Sequence, residues 1–270
     1  MQNLTARILT ASVLGGFVVL GTLHLPAAVM TAFYALVGFG AALEFARLAG
    51  FAQRGAALVY AISVLLLAAA LGGPDAGANA RGVLLAGSAW WCVAAAWVML
   101  FQWRGAPALH ATAALALVGY LCLVPALCAL RLLLARDPAL LLALFALVWS
   151  ADIFAYAGGR SFGRHKLASR VSPGKTWEGF ATALAGTLVV AVAGAGAMNL
   201  LDPPAALLLG AAILLASVIG DLLESLLKRL RGVKDSGTLL PGHGGLLDRV
   251  DSLLAAAPLF ALGLMLAGRL

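Results

Sequence analysis

Charge is what this chain has least of. Only 11% of its 270 residues are Asp, Glu, Lys or Arg, while 63% are hydrophobic; a water-soluble domain carries roughly 25% charged residues. That excludes a soluble globular fold. Cysteine is nearly as scarce: Cys92, Cys122 and Cys128 all lie in apolar runs, without the paired spacing of metal ligands. Neither a disulfide framework nor a zinc site is indicated, and the three read as small apolar packing residues. No polar stretch is long enough to form a soluble domain, the longest being 158–176 and 228–249. No internal repeat of the inverted-transporter kind is visible.

What is present is a series of apolar runs. A bilayer core about 30 Å thick needs roughly 20 mainly apolar helical residues, with shorter runs workable where flanking groups snorkel. Nine segments qualify, near 8–23, 27–46, 57–72, 82–101, 109–130, 138–157, 177–197, 205–227 and 250–268. They are continuous and rich in Ala and Leu, without the period-two alternation of barrel strands. The expected fold is therefore an all-α integral membrane protein, a polytopic bundle of about nine transmembrane helices. About five helices fall in an N-terminal region, 1–135, and the rest in a C-terminal region, 136–270, with its two polar loops. Arg7 followed by an apolar run has the shape of a signal peptide, but eight further spans favour a retained first helix.

The formal charge of +7 comes from eighteen Lys or Arg against eleven Asp or Glu. These charges fall in short clusters between apolar runs rather than along one polar face, so anionic headgroups and phosphorylated substrates are expected as partners, and nucleic acid is not. With nine spans, fourteen basic residues fall on one side: Arg7, Arg47, Arg54, Arg104, five within 160–175 and five within 228–249. Only Arg81, Arg131, Arg136 and Arg269 fall on the other. The positive-inside rule then places the N-terminus and both loops in the cytosol.

Eight of the eleven carboxylates lie from 152 to 251. An ionised side chain at the centre of a membrane helix costs about 2.5–3.5 kcal/mol on insertion scales, so Asp152, Asp221 and Glu224 need compensating partners. Asp221, Glu224, Ser225 and Lys228 share one face of the eighth helix by their i, i+3, i+4, i+7 spacing. Asp152 and Tyr156 lie one turn apart near the cytosolic end of the sixth. Asp248 and Asp251 open the ninth, after His243-Gly244-Gly245, whose glycines allow backbone to approach a ligand closely. Three helix ends thus bring acids to one level. Hard oxygen donors without clustered His or Cys suggest Mg²⁺, as one ion or two. A helix-end ladder of ion pairs with Lys228 and Arg229, and a plain helix cap at Asp248, are the structural alternatives.

Residues 172–179 read Ser-Pro-Gly-Lys-Thr-Trp-Glu-Gly. Gly174-Lys175-Thr176 echoes the end of a P-loop, but Ser169 stands where the first glycine belongs and no strand is expected before it, so that reading fails. Arg164, Lys166 and Arg170 read as cytosolic anchoring charges. Lys175, Thr176 and Glu178 stand at the mouth of the seventh helix, where free N–H groups and the positive dipole end favour a phosphate.

From Ser225 the chain runs Ser-Leu-Leu-Lys-Arg, then Lys-Asp-Ser-Gly, then Leu-Pro-Gly-His-Gly-Gly-Leu-Leu-Asp-Arg-Val-Asp to Asp251. This run resembles the signature of the phosphatidate cytidylyltransferases, also called CDP-diacylglycerol synthases. The block from Asp152 through Tyr156, Gly159 and Gly163 to 172–179 is similar to the same family, with one departure: Gly174 stands where Lys or Asn is common. Resemblance is strong over about 150–252. The first 150 residues are otherwise similar only as a hydrophobic multi-helix region, with Glu44 a candidate further match that is given no role.

The resemblance implies transfer of CMP from CTP to phosphatidate, with Mg²⁺ required, at the inner membrane of a bacterial cell, and it suggests a homodimer. It implies metal ligation by Asp221, Asp248 and Asp251, with Glu224 beside them. Lys228 and Arg229 join the three aspartates in the reaction. Lys175, Lys234 and Arg249 would hold the triphosphate or lipid phosphate, while Ser172, Thr176 and His243 donate hydrogen bonds. Asp152, Tyr156, Glu178, Ser225, Gly244 and Gly245 complete the expected substrate site. Another CTP-dependent lipid kinase or transferase is the nearest alternative. An ion-coupled transporter is a more distant one, because it needs polar groups at the midplane of several helices. A CDP-alcohol phosphotransferase is disfavoured, since Asp221-Leu222-Leu223-Glu224 lacks the Asp-Gly pair leading into spaced aspartates.

Overall fold

The computed structural model describes residues 13, 15–72, 77–105, 111–237 and 244–270. Among these the chain forms nine helices: α1 (Gly15–His24), α2 (Ala27–Ala49), α3 (Arg54–Leu71), α4 (Gly77–Arg104), α5 (Thr112–Arg136), α6 (Pro138–Phe162), α7 (Trp177–Ala197), α8 (Pro203–Leu230) and α9 (Asp251–Leu266). Seven of them, α2 to α8, are long and apolar enough to cross a bilayer, while α1 and α9 are shorter. The protein is a polytopic helical membrane protein. Its helices match the apolar runs of the sequence one for one, and α7 spans the expected residues. Most others run a few residues further, because polar ends that a hydropathy count excludes still complete a helical turn.

Local chemistry explains several ends. Asp137 and Asp202 each precede a proline and cap the following helix, accepting hydrogen bonds from Ala139 N at 2.8 Å and Ala205 N at 3.2 Å. These two acids, at the end away from the site described below, thus satisfy helix N–H groups that would otherwise lack partners. The loop expected over 158–176 is not irregular. α6 continues to Phe162, and a short antiparallel hairpin follows, β1 (Lys166–Ala168) and β2 (Ser172–Thr176). Three to five residues per strand carry too little alternation to be read from sequence.

One hydrophobic core links the N-terminal helices to α8 and α9. Without a hydrophobic force between helices in lipid, close association depends on small residues. At Gly87 of α4 an added Cβ would stand 2.4 Å from Pro125 of α5. α6 and α7 make the same kind of approach, with Thr182 Oγ1 donating to Phe154 O at 2.9 Å and an added Cβ on Gly158 falling 1.8 Å from that hydroxyl.

We expect Gly158→Val to lower the thermal unfolding midpoint of the detergent-solubilised protein, since overpacking costs about 1–3 kcal/mol. Gly196→Val, where an added Cβ meets open space, is the control. Equal midpoints for the two variants would contradict the α6–α7 packing.

Candidate functional site

The C-terminal ends of α2, α4, α6 and α8 and the start of α9 lie at one end of the bundle with the hairpin, as their mutual contacts show. Arg231, just past α8, donates to the carbonyls of Leu48, at 2.6 Å, and Ala49 at the end of α2. Gln102 and Trp103 of α4 hold the hairpin turn: Arg170 N donates to Gln102 Oε1 at 2.9 Å, and Gln102 Nε2 donates to Ser169 Oγ at 3.2 Å. Arg229 Nε donates to Val171 O at 3.3 Å. Arg170, which sequence marks as an anchoring charge, is therefore tied into the structure of this end, as are Arg229 and Arg231.

At its centre Lys228 Nζ lies 2.8 Å from Glu224 Oε2 and 2.5 Å from Asp248 Oδ1. The first contact is the i, i+4 pairing expected along α8. The second crosses to a single turn of 3₁₀ helix, Leu247–Arg249, that leads into α9. All three side chains are largely buried, at 15%, 5% and 10% exposure, so removing the ammonium group would strand two carboxylates in low dielectric. Asp248 Oδ2 also accepts from Ser236 N at 3.1 Å and Gly245 N at 2.8 Å. Gly244 makes that turn with φ +81°, a left-handed conformation that suits glycine. Burial opposes ionisation of Asp248, but the Lys228 bond and the Gly245 amide outweigh it and hold the carboxyl at about 2, below its ordinary 3.8.

A second lysine enters from the hairpin. Lys175 Nζ of β2 is 2.6 Å from Asp221 Oδ2, and Ser225 Oγ donates to Asp221 Oδ1 at 3.3 Å. Asp251 interacts electrostatically with Asp221, Glu224 and Asp152, and Asp152 with Lys175 and Asp221. The structure thus brings together Asp152, Lys175, Asp221, Glu224, Ser225, Lys228, Gly244, Gly245, Asp248 and Asp251. Lys175 and Lys228 pair with only three of the five carboxylates. That excess of hard oxygen donors at a helix-end cluster suits a divalent cation. Among the described residues no three His, Cys, Asp or Glu side chains stand in ligand geometry by themselves. An Mg²⁺-like ion, which binds through one or two carboxylates and takes its remaining oxygens from phosphates and water, needs no such cage.

Other expected residues serve different ends. Thr176 caps α7, accepting from Gly179 N at 3.2 Å, while Trp177 N donates to His165 O at 2.9 Å. Glu178 accepts from Arg164 N and His165 N at 3.1 and 3.2 Å and meets His165 Nδ1 at 2.6 Å. The amides that sequence offers to a phosphate at this helix mouth are largely taken, and Glu178 fastens the entry to the hairpin. Tyr156 is exposed and accepts a long contact from Arg160 at 3.4 Å. Ser172 begins β2, opposite Ala168. Lys234 and Arg249 are exposed on the loop side of the cluster, and His243 lies outside the described residues. Sequence reasoning gave no role to Glu44 of α2, which is fully buried and accepts from Ser236 Oγ at 2.9 Å and Leu247 N at 2.8 Å. Its signals were a carboxylate near the polar end of an apolar helix and a candidate match to the family.

Asp248 supports the fold while ionised. A carboxyl at about 2 when folded and near 3.8 when unfolded contributes stability above pH 4 that is lost as pH falls through 3.8 toward 2. Acid titration of unfolding in detergent is expected to show this loss in the wild type and not in Asp248→Asn. Parallel curves would remove the Lys228–Asp248 pair as its source.

The Cytidylyltransferase family model matches residues 5–267. A protein of Pseudomonas aeruginosa named phosphatidate cytidylyltransferase is 41% identical over 278 residues, covering 98% of this chain and 98% of that protein. One of the same name from Brucella abortus is 40% identical, covering 97% and 93%. A third, from Haemophilus influenzae, is 49% identical over 130 residues, 45% of this chain.

Proposed function

We propose that this chain, which belongs to the cytidylyltransferase family, transfers CMP from CTP to phosphatidate, giving CDP-diacylglycerol and pyrophosphate. The observation that carries the reading is the meeting of the 152–176 and 221–251 blocks around two lysines and five carboxylates at one end of the bundle. The full-length likeness to proteins named for this reaction supports it.

In the reaction a phosphate oxygen of phosphatidate attacks the α-phosphorus of CTP, and the bond from that phosphorus to the oxygen bridging to the β-phosphate breaks. With a second pKa of about 6 the monoester is already mostly dianionic at pH 7, so the protein needs no general base. Its task is to bring anions together. Lys175 and Lys228 place ammonium groups beside the acids, and phosphates can compete for both. Asp221, steadied by Ser225, and Asp251 are the carboxylates we assign to a divalent cation, Mg²⁺ in this reading. Glu224 and Asp248 flank it, though Asp248 already accepts three hydrogen bonds. When bound, that cation would neutralise charge on the phosphates. Arg229, Lys234 and Arg249 supply further positive charge at the mouth.

Catalysis belongs to residues 136–270, with the N-terminal helices packed around them. The end that carries the cluster also carries most of the basic residues, which supports a cytosolic site in the bacterial inner membrane. CTP then arrives from water and phosphatidate from the leaflet. The family likeness also suggests a homodimer.

Purified protein in detergent, given radiolabelled CTP, phosphatidate and Mg²⁺, is expected to form a lipid-soluble cytidine product. No product, where a control enzyme makes it, would overturn the reading. Asp221→Asn is expected to lower turnover by roughly 10²-fold or more, as loss of one stabilising group in an active site does. Arg164→Ala, whose backbone alone contacts the site's frame, is expected to stay within about threefold, the scale of an exposed charge pair. Equal losses in both variants would contradict the assignment.

A further inference from the structure

Outside the reacting cluster, Glu44 is bonded to the loop residues that border it. It has no exposed surface, and its Oε2 receives hydrogen bonds from two groups at opposite ends of one loop, Ser236 and Leu247, which are 192 and 203 residues away along the chain. The loop passes close over this carboxylate. An added Cβ on Gly237 would stand 2.1 Å from Glu44 Oε1, and one on Gly245 would stand 2.5 Å from Glu44 Oε2 and 2.0 Å from Ser236 Oγ. Gly237 and Gly245 are thus required for close approach to α2. The same end of α2 is gripped a second time by Arg231, where the loop begins.

The other faces of these loop residues meet the reacting cluster. Ser236, whose hydroxyl donates to Glu44, gives its backbone N–H to Asp248 Oδ2. Gly245, packed against Glu44, gives its N–H to the same oxygen. Leu247, whose N–H donates to Glu44, immediately precedes Asp248. Each contact to Glu44 is therefore one residue or one peptide group from a bond that fixes Asp248, and Asp248 fixes Lys228.

We propose that Glu44 is a positioning residue: a carboxylate of the N-terminal region that holds both ends of the 236–247 loop and so sets the placement of Asp248 and Lys228. This rests on the function proposed above. Glu44 touches no reacting group, so its loss lowers turnover while leaving substrate affinity nearly unchanged. The accepted hydrogen bonds carry the effect. Both fall on Oε2, while among the described residues Oε1 has no hydrogen-bonding partner. A glutamine can place its carbonyl oxygen at the Oε2 position and keep both.

The test measures kcat and KM for CTP and phosphatidate with the full chain, purified in detergent, as wild type, Glu44→Ala, Glu44→Gln, Ser236→Ala and the double variant Glu44→Ala with Ser236→Ala. Thermal midpoints and elution profiles serve as checks on folding. Glu44→Ala is expected to lose roughly tenfold or more in kcat, the scale of hydrogen bonds to a charged group, with KM within about threefold. Glu44→Gln restores most of the rate, and Ser236→Ala has little further effect once Glu44 is alanine. Wild-type kcat in Glu44→Ala, or a loss in Glu44→Gln as large as in Glu44→Ala, would overturn the proposal. If Glu44→Ala does not fold, Ser236→Ala decides: a lowered kcat at unchanged KM supports the role and an unchanged kcat overturns it. Failure of the proposed reaction itself would appear separately, as no product from the wild type.

Discussion

The ammonium group of Lys228, lying between the carboxylates of Glu224 and Asp248, connects a long apolar helix to the turn that starts α9. An ion pair this deeply buried is not a cheap source of stability, because desolvating its members offsets much of their attraction. What it supplies is register. With Asp248 fixed to Lys228 on one oxygen and to two loop amides on the other, the start of α9 has one position relative to α8. Asp251, three residues on, then lies within electrostatic reach of Asp221 and Glu224.

Around this centre the protein combines two opposed requirements. The bundle must present apolar surface to lipid, and the site must collect acids and bases at its margin. The conflict is resolved by placement. The acids away from the site, Asp137 and Asp202, are spent as helix caps, and the five clustered acids, Asp152, Asp221, Glu224, Asp248 and Asp251, sit at one end of the bundle. The hairpin delivers Lys175 to Asp221, so the part of the chain that sequence shows as a basic loop acts as a rigid arm. Thr176 caps α7 and Glu178 accepts from the backbone at Arg164 and His165, so both tie that arm to α7.

The helices were legible because a bilayer imposes length and hydropathy on every span, and the i, i+3, i+4, i+7 stripe on α8 follows from helical geometry alone. The grouping of Asp152, Asp221, Glu224, Asp248 and Asp251 was legible too, since three helix ends on one side of a membrane leave little freedom. Lys228 as the inner counter-ion of Asp248 was not, nor was the clamp of Glu44 on Ser236 and Leu247. Both depend on contacts across the sequence that leave no periodic trace. The hydrogen bonding at the mouth of α7 was not legible for a related reason: Trp177 N finds its acceptor at His165, a partner supplied only once the hairpin has folded back.

The central claim is that this acidic end takes up a divalent cation together with a nucleotide rather than in a preformed cage. Titration of Mn²⁺ into the full chain in nanodiscs, followed by electron paramagnetic resonance with and without CTP, tests it directly. The account predicts saturable binding that tightens strongly when CTP is present and is lost in Asp251→Asn. Binding that ignores both CTP and Asp251, or no binding under either condition, would contradict it.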